Sequence, residues 1–70
     1  MRTSNLPNLV HLRMARGISR AQLGAELGFT ERSVGRWENG ESDPVLGDLK
    51  KMAAYFGVSV AFLIGEETKA

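Results

Sequence analysis

Residues 19–40 constrain the fold of this 70-residue chain more than any other segment, because they have the pattern of two short amphipathic helices joined at a glycine. Leu23 and Leu27 lie one helical turn apart in the first helix. Val34 and Trp37 lie three residues apart in the second. All four side chains can therefore face one core, and the segment predicts two helices that cross over it.

The ends of these two helices are also marked in the sequence. Ser19, followed three residues later by Gln22, is a capping box for the first helix, and the hydroxyl of Thr30 can cap the second. Gly28 suits the end of the first helix, where the left-handed backbone conformation favours glycine. Gly24 inside the first helix costs about 1 kcal/mol relative to alanine, which indicates that its missing side chain permits a close approach.

The rest of the chain extends this pair into an all-α domain. The apolar spacing predicts five helices, near residues 6–16, 20–27, 31–38, 45–56 and 60–64. The apolar residues of the fourth are Leu46, Leu49, Met52, Ala53 and Phe56. No segment has the alternating pattern of a strand, and no linker divides the sequence. We expect one domain over residues 1–70, with its core at about 6–65.

Composition excludes several functional classes. The chain contains no cysteine, so it can form neither a disulfide framework nor a thiolate zinc site. No apolar run approaches the length of a membrane span and no signal-peptide pattern is present, so we expect a cytoplasmic protein without membrane contact. His11 is the only histidine and has no neighbouring nucleophile. We therefore expect no enzyme activity, no metal site and no cofactor.

Charge is distributed unevenly although the net charge is only +1. Residues 1–37 carry six arginines, Arg2 among them, and two glutamates, for a net charge of +4. Residues 38–70 carry three lysines and six acids, for a net charge of −3. Clustered arginines matter more than the total for a partner that is rich in phosphate, so the basic half is the candidate for binding nucleic acid.

Several short motifs occur in a fixed order along the chain. They are Arg13, the SRAQLGAELG segment from Ser19 to Gly28, WENG from Trp37 to Gly40, Pro44, and FGVSVAFLIG from Phe56 to Gly65. In these residues the chain resembles the Cro/repressor family (Xre-type, lambda-repressor-like) of helix-turn-helix DNA-binding domains. The resemblance covers nearly the whole chain and implies a compact five-helix bundle. It also implies that Arg13, on an inner face where an unpaired charge is costly, pairs with Glu38.

The resemblance implies a division of roles as well, because the second helix of this motif lies in the major groove of DNA with its N-terminal residues at the base edges. The implied base-reading residues are Glu31, Arg32, Ser33, Gly35 and Arg36. The implied phosphate-binding residues are Arg13, Arg20, Thr30 and Asn39. Residues implied to set the geometry are Gly24, Gly28, Val34, Trp37 and Glu38. For Gly35, the implied reason is a close approach to a base or sugar.

The partner implied by the resemblance is a double-stranded DNA operator, and the activity is that of a transcriptional regulator, most simply a repressor. The acidic loop at Glu41, Ser42 and Asp43 weakens the expected hold of one subunit on DNA, so we expect a homodimer on an inverted repeat. Candidate dimer residues are Val60, Phe62 and Ile64. An alternative stays open: a protein-interaction module of the same fold, such as an antitoxin, with weak or no DNA binding and a protein partner that the sequence does not identify.

Overall fold

A computed structural model describes residues 6–66 of the chain. The described residues form five helices and no strand: α1 (Leu9–Ala15), α2 (Arg20–Leu27), α3 (Glu31–Glu38), α4 (Leu46–Phe56) and α5 (Val60–Leu63). The all-α fold and the five predicted helices are confirmed. Arg2 and the two ends of the predicted 1–70 domain lie outside the described residues.

The first helix begins later than its sequence predicts. Residues 6–8 form a turn in which the Leu9 amide donates to the Leu6 carbonyl at 3.1 Å. Asn8 precedes the helix, but its side chain makes no capping bond there. Instead, the side-chain Nδ2 of Asn8 donates to the backbone carbonyl of Phe62 at 2.5 Å. This bond joins the start of α1 to α5, a long-range contact that local sequence patterns do not reveal.

The predicted caps of α2 and α3 are present. The Ser19 hydroxyl accepts from the Gln22 amide at 3.0 Å, and the Gln22 side chain accepts from the Ser19 amide at 3.0 Å. Gly28 ends α2 in the left-handed conformation, with φ of 82°. Thr30 then caps α3 through its hydroxyl. Only two residues therefore separate the end of α2 from the α3 cap, which holds the two helices at a tight turn.

Gly24 permits a close approach, as predicted, but its neighbour is the turn rather than the crossing helix. The Gly24 carbonyl accepts from the Phe29 amide at 2.8 Å. A Cβ on Gly24 would collide with the Phe29 carbonyl oxygen and lie 3.1 Å from the carbonyl carbon. Because these are backbone atoms, they cannot move aside without opening the turn.

The core takes residues from all five helices and from the turn before α1. Its buried apolar residues are Leu6, Leu9, Leu23, Val34, Trp37, Met52, Ala53, Phe56 and Leu63. Phe29 packs edge to face on Trp37 with ring centroids 4.9 Å apart, which fixes the turn onto α3. One apolar residue of the fourth helix lies outside the core: Leu46, in the first turn of α4, is 58% exposed. Helical spacing identified its stripe but not the point at which α4 leaves the core.

Among the described helices, none combines the length and the apolar character needed to cross a membrane. The longest, α4, has 11 residues.

Candidate functional site

The solvent-facing side of α3 and the start of α2 enclose an open cleft of about 490 Å³. Its lining residues are Arg20, Glu31, Arg32, Gly35, Arg36, Asn39 and Glu41. The structure thus brings together six residues that the sequence assigned to DNA and adds Glu41, which it did not. Ser33, Thr30 and Arg13 lie outside this lining.

The cleft is polar and carries charge of both signs, with three arginines and two glutamates. Arg32 and Arg36 are exposed and lie one helical turn apart on the same face of α3. Glu31 is exposed in the first turn of that helix. Two guanidinium groups with freedom to reorient therefore face solvent from one helix, an arrangement suited to a ligand with several acceptor atoms.

Glu38 organises the inner edge of this site. Its side chain is 1% exposed and binds two arginines. Arg13 Nε donates to Oε2 at 2.6 Å and Arg13 Nη2 to Oε1 at 3.1 Å. Arg20 Nε donates to the same Oε1 at 2.8 Å. The Arg13–Glu38 pair that the resemblance implied is present, and it ties α1 to the end of α3.

The donors of Arg13 are directed into the protein. Besides the two bonds to Glu38, its Nη1 donates to the carbonyl of Ile18 at 2.9 Å, and its side chain is 14% exposed. The hydrogen bond to Glu38 raises the pKa of Arg13 above its ordinary value, and the charge of Glu38 adds to that effect while burial opposes it. This geometry favours a structural role for Arg13 over the phosphate-binding role that the resemblance implied.

Arg20 differs from Arg13 in its exposure and its contacts. Its side chain is 39% exposed and reaches Glu38 through Nε. The resemblance implied only the pair of Glu38 with Arg13, so this second ion pair was not predicted. No spacing rule could have found it, because Arg20 and Glu38 stand 18 residues apart on different helices.

Thr30 and Ser33 are engaged with one another at the start of α3. Thr30 Oγ1 accepts from the Ser33 amide at 3.0 Å and donates to Ser33 Oγ, also at 3.0 Å. The two hydroxyls therefore define the first turn of α3. The Ser33 hydroxyl keeps its own proton to donate to a ligand, whereas Thr30 can donate to a phosphate only when its hydroxyl turns away from Ser33 Oγ.

The acidic loop enters the site at its far end. The Glu41 amide donates to the Arg36 carbonyl at 2.8 Å, and this turn carries the Glu41 side chain back to the cleft. There Glu41 Oε2 accepts from Asn39 Nδ2 at 3.3 Å. The sequence flagged the charge of this loop but not its contact with Asn39, because the direction of a side chain after a turn depends on backbone geometry.

The candidate dimer residues lie on and around α5. Val60 and Ile64 are partly buried and pack against the core, and Phe62 is also partly buried. The most exposed large apolar side chains among the described residues are elsewhere, at Met14, Val45 and Leu46. Within residues 6–66, no three His, Asp or Glu side chains come together as a metal site.

Comparison with known proteins identifies the family of this chain. A helix-turn-helix family model matches residues 10–63, which is more than half of the chain. The chain belongs to the Cro/C1-type (Xre-like) helix-turn-helix family. That family consists of DNA-binding transcription regulators and is typically non-enzymatic, so the protein is a DNA-binding regulator in general terms. No curated protein and no solved structure gives a significant match.

Proposed function

We propose that the protein is a sequence-specific binder of double-stranded DNA that acts as a repressor, with α3 in the major groove. The observation that carries this proposal is the cleft on the outer face of α3, where Arg20, Arg32 and Arg36 converge. A recognition helix presents its N-terminal residues to base edges, and arginine is the side chain that pairs with guanine at two atoms. The three guanidinium groups are therefore directed at one ligand surface.

Arg32 is the proposed principal base reader. Arg36, one helical turn later, contacts either a second base or a phosphate. Glu31 and Ser33 complete the proposed base-facing set, and Gly35 lines the same cleft. Exposed arginines suit this task because their guanidinium groups can turn toward the edge of a base without breaking a contact within the protein. A bidentate contact to guanine discriminates against the wrong base by about 1–3 kcal/mol.

Arg20, Thr30 and Asn39 are the proposed contacts to the DNA backbone. Arg20 supports this role with a partly exposed guanidinium at the start of α2, at the edge of the cleft. Asn39 can donate to a phosphate once Nδ2 leaves Glu41. Arg13 is assigned to the fold, since its donors are directed to Glu38 and Ile18.

We further propose that two copies bind an inverted repeat. Half-sites one helical turn apart, at about 34 Å, place two reading helices in successive major grooves. Val60, Phe62 and Ile64 remain the proposed interface. Glu31 and Glu41 in the cleft lower the electrostatic attraction of one subunit for DNA, and a second subunit compensates for that loss.

The second candidate function is a protein-interaction module of the same fold, such as an antitoxin. The specific observation in its favour is a pair of adjacent exposed apolar side chains, Val45 at 68% and Leu46 at 58%, directly after the acidic loop. In this reading the partner is a protein that covers the start of α4. The same DNA experiment separates the two candidates.

The test is selection from a random duplex library with the purified chain at about 50 mM salt, repeated at about 200 mM. A protein that neutralises six phosphates loses roughly a thousandfold in affinity over this range. We expect an enriched, two-fold symmetric sequence. Arg32→Ala should relax the base preference at one position of each half-site, while Arg20→Ala should weaken binding to every sequence alike.

Lys50→Ala is the matched control, because Lys50 is an exposed cation on α4 and does not line the cleft. It should retain both the preferred sequence and nearly all of the affinity. Absence of any enriched duplex at low salt would reject sequence-specific binding and favour the protein-interaction module. Equal effects of Arg32→Ala and Arg20→Ala on every sequence would contradict the division of roles.

A further inference from the structure

Gly35 is buried although its neighbours on the outer face of α3, Arg32 and Arg36, are exposed. The group beside it is the side chain of Arg20. A Cβ on Gly35 would lie 3.3 Å from Arg20 Nη1 and 3.8 Å from both Cδ and Cζ. Arg20 therefore crosses α3 at a position where the helix has no side chain of its own.

The far end of this crossing is held by Glu38, three residues after Gly35 on the same helix. Arg20 Nε donates to Glu38 Oε1 at 2.8 Å. This pair uses Nε, so the edge of the guanidinium formed by the two Nη groups is left for other partners. Arg20 also lines the cleft together with Arg32 and Arg36. The position of Arg20 thus depends on Glu38 and on the space above Gly35.

We infer that Gly35 is a positioning residue: it leaves the space in which Arg20 lies across α3 and so sets the Arg20 guanidinium beside the reading arginines. This inference rests on the proposed function and deepens it. It makes Arg20 and α3 one DNA-binding unit, although Arg20 belongs to α2. It also gives Gly35 a role that acts through Arg20, in place of the close approach to a base or sugar implied by the resemblance.

A longer side chain at position 35 should displace Arg20 without unfolding α3. The 3.3 Å separation is already shorter than an ordinary contact between nonbonded heavy atoms, so further atoms at this position occupy the path of Arg20. The obstacle is the far end of a flexible side chain and not backbone. Glutamine also has a better helix propensity than glycine, so Gly35→Gln should keep the fold.

The first test uses the free protein and needs no DNA. Hydrogen exchange at the Nε–H groups of Arg20 and Arg13 is measured by NMR in the wild type, in Gly35→Gln and in Gly47→Gln. Gly47 is a matched control, because it is a helical glycine in α4 with open space around it. We expect Gly35→Gln to accelerate exchange at Arg20 about tenfold, the loss of one charge-assisted hydrogen bond, and to leave Arg13 unchanged.

Gly47→Gln should change neither rate. An unchanged rate at Arg20 in Gly35→Gln would overturn the inference. Equal acceleration at Arg13 and Arg20 would also overturn it, because that result would mean a general loosening around Glu38. These readouts remain valid if the chain binds no DNA, so failure of the inference and failure of the proposed function can be told apart.

The second test is a double-mutant cycle on a duplex enriched by the wild type at about 50 mM salt. Gly35→Gln should weaken binding about tenfold in the wild-type background and by less than about twofold when Arg20→Gln is already present. Gly35→Gln should also make the fall of log affinity with log salt concentration less steep by about 0.9, the same change that is expected for Arg20→Gln. Equal losses in both backgrounds would mean that position 35 meets the DNA directly, and would overturn the inference.

Discussion

An arginine and a glycine lie on each side of the helix pair α2–α3, under different constraints, and the inner arginine, Arg13, comes from α1. On the inner side, Arg13 is nearly buried against Glu38, and Gly24 faces the backbone of the turn. On the outer side, Arg20 is partly exposed, and its flexible side chain supplies the atoms nearest to a Cβ on Gly35. We therefore expect substitutions on the inner side to cost stability, and those on the outer side to cost binding.

The largest expected effect is on the inner side, from Arg13→Ala. Removing this arginine takes three hydrogen bonds away and leaves the buried Glu38 with Arg20 as its remaining ion-pair partner. Breaking a buried pair in this way costs about 3 kcal/mol. Urea denaturation should show this loss of unfolding free energy, while Arg36→Ala, which removes an exposed arginine, should change it by less than about 0.5 kcal/mol. Similar losses from both variants would break the comparison.

The next largest effect comes from alanine substitutions at two helical glycines, which should change the free energy of unfolding in opposite directions. Gly24→Ala forces a methyl group against the backbone carbonyl of Phe29, so an overpacking cost of about 3 kcal/mol outweighs the gain of about 1 kcal/mol in helix propensity. Gly47→Ala meets open space and should stabilise the fold by about 0.5 kcal/mol. Thermal unfolding of both variants measures the two effects. A stabilised Gly24→Ala would show that the turn can open without cost.

A smaller loss of stability is expected from Arg20→Ala, on the outer side. Its partner Glu38 keeps Arg13, and the Arg20 side chain is 39% exposed, so solvent screens the pair. Unfolding free energy should fall by no more than about 1 kcal/mol. The slope of DNA affinity against salt should fall by about 0.9, equivalent to one phosphate contact. If Arg20→Ala destabilised the protein as much as Arg13→Ala, Arg20 would belong to the inner side.

The smallest expected effect is on the pKa of Tyr55, whose partner Glu26 is an exposed carboxylate, in contrast to the buried Glu38. The Tyr55 hydroxyl donates to Glu26, and this hydrogen bond, with burial and the charge of Glu26, raises the pKa of Tyr55 above its ordinary value of 10.0. Tyr55 is the only tyrosine, so absorbance titration should show one phenol with a midpoint above 10.0. Glu26→Ala should lower that midpoint.

The sign of the accompanying pH dependence follows from the raised pKa. The stabilisation from the Tyr55–Glu26 bond is fully present below the unfolded pKa of about 10, and it is lost as the pH rises through the higher folded value. Stability near neutral pH should therefore be insensitive to Tyr55 ionisation. An unchanged titration midpoint in Glu26→Ala would show that the bond does not form in solution.

Local signals were sufficient for α2, α3 and their caps. Ser19, Thr30 and Gly28 act within three or four residues of their own position, so short-range chemistry specified them. Helical spacing likewise identified Leu23, Val34 and Trp37 as core residues. It does not show that Leu46 is exposed, because spacing gives the direction of a side chain but not what lies opposite the first turn of α4.

The candidate site was less predictable in its contacts than in its members. Arg20, Arg32 and Arg36 could be grouped from the motif that they share. The pairing of Arg20 with Glu38 and the crossing at Gly35 depend on how α2 lies against α3. The return of Glu41 toward Asn39 depends on the turn after α3. Such contacts are set by tertiary geometry, which no local pattern in the sequence encodes.

The carboxylate of Glu38 acts as an internal competitor for any anion that approaches Arg20. Its Oε1 atom already holds Arg20 Nε, so a phosphate must either use the Nη groups beside that bond or displace it. A single small anion offers one charge in exchange for a preformed pair. A duplex on the proposed site would offer a phosphate to Arg20 while other contacts form at Arg32 and Arg36. We therefore expect the shared carboxylate to favour polyvalent ligands over simple salts.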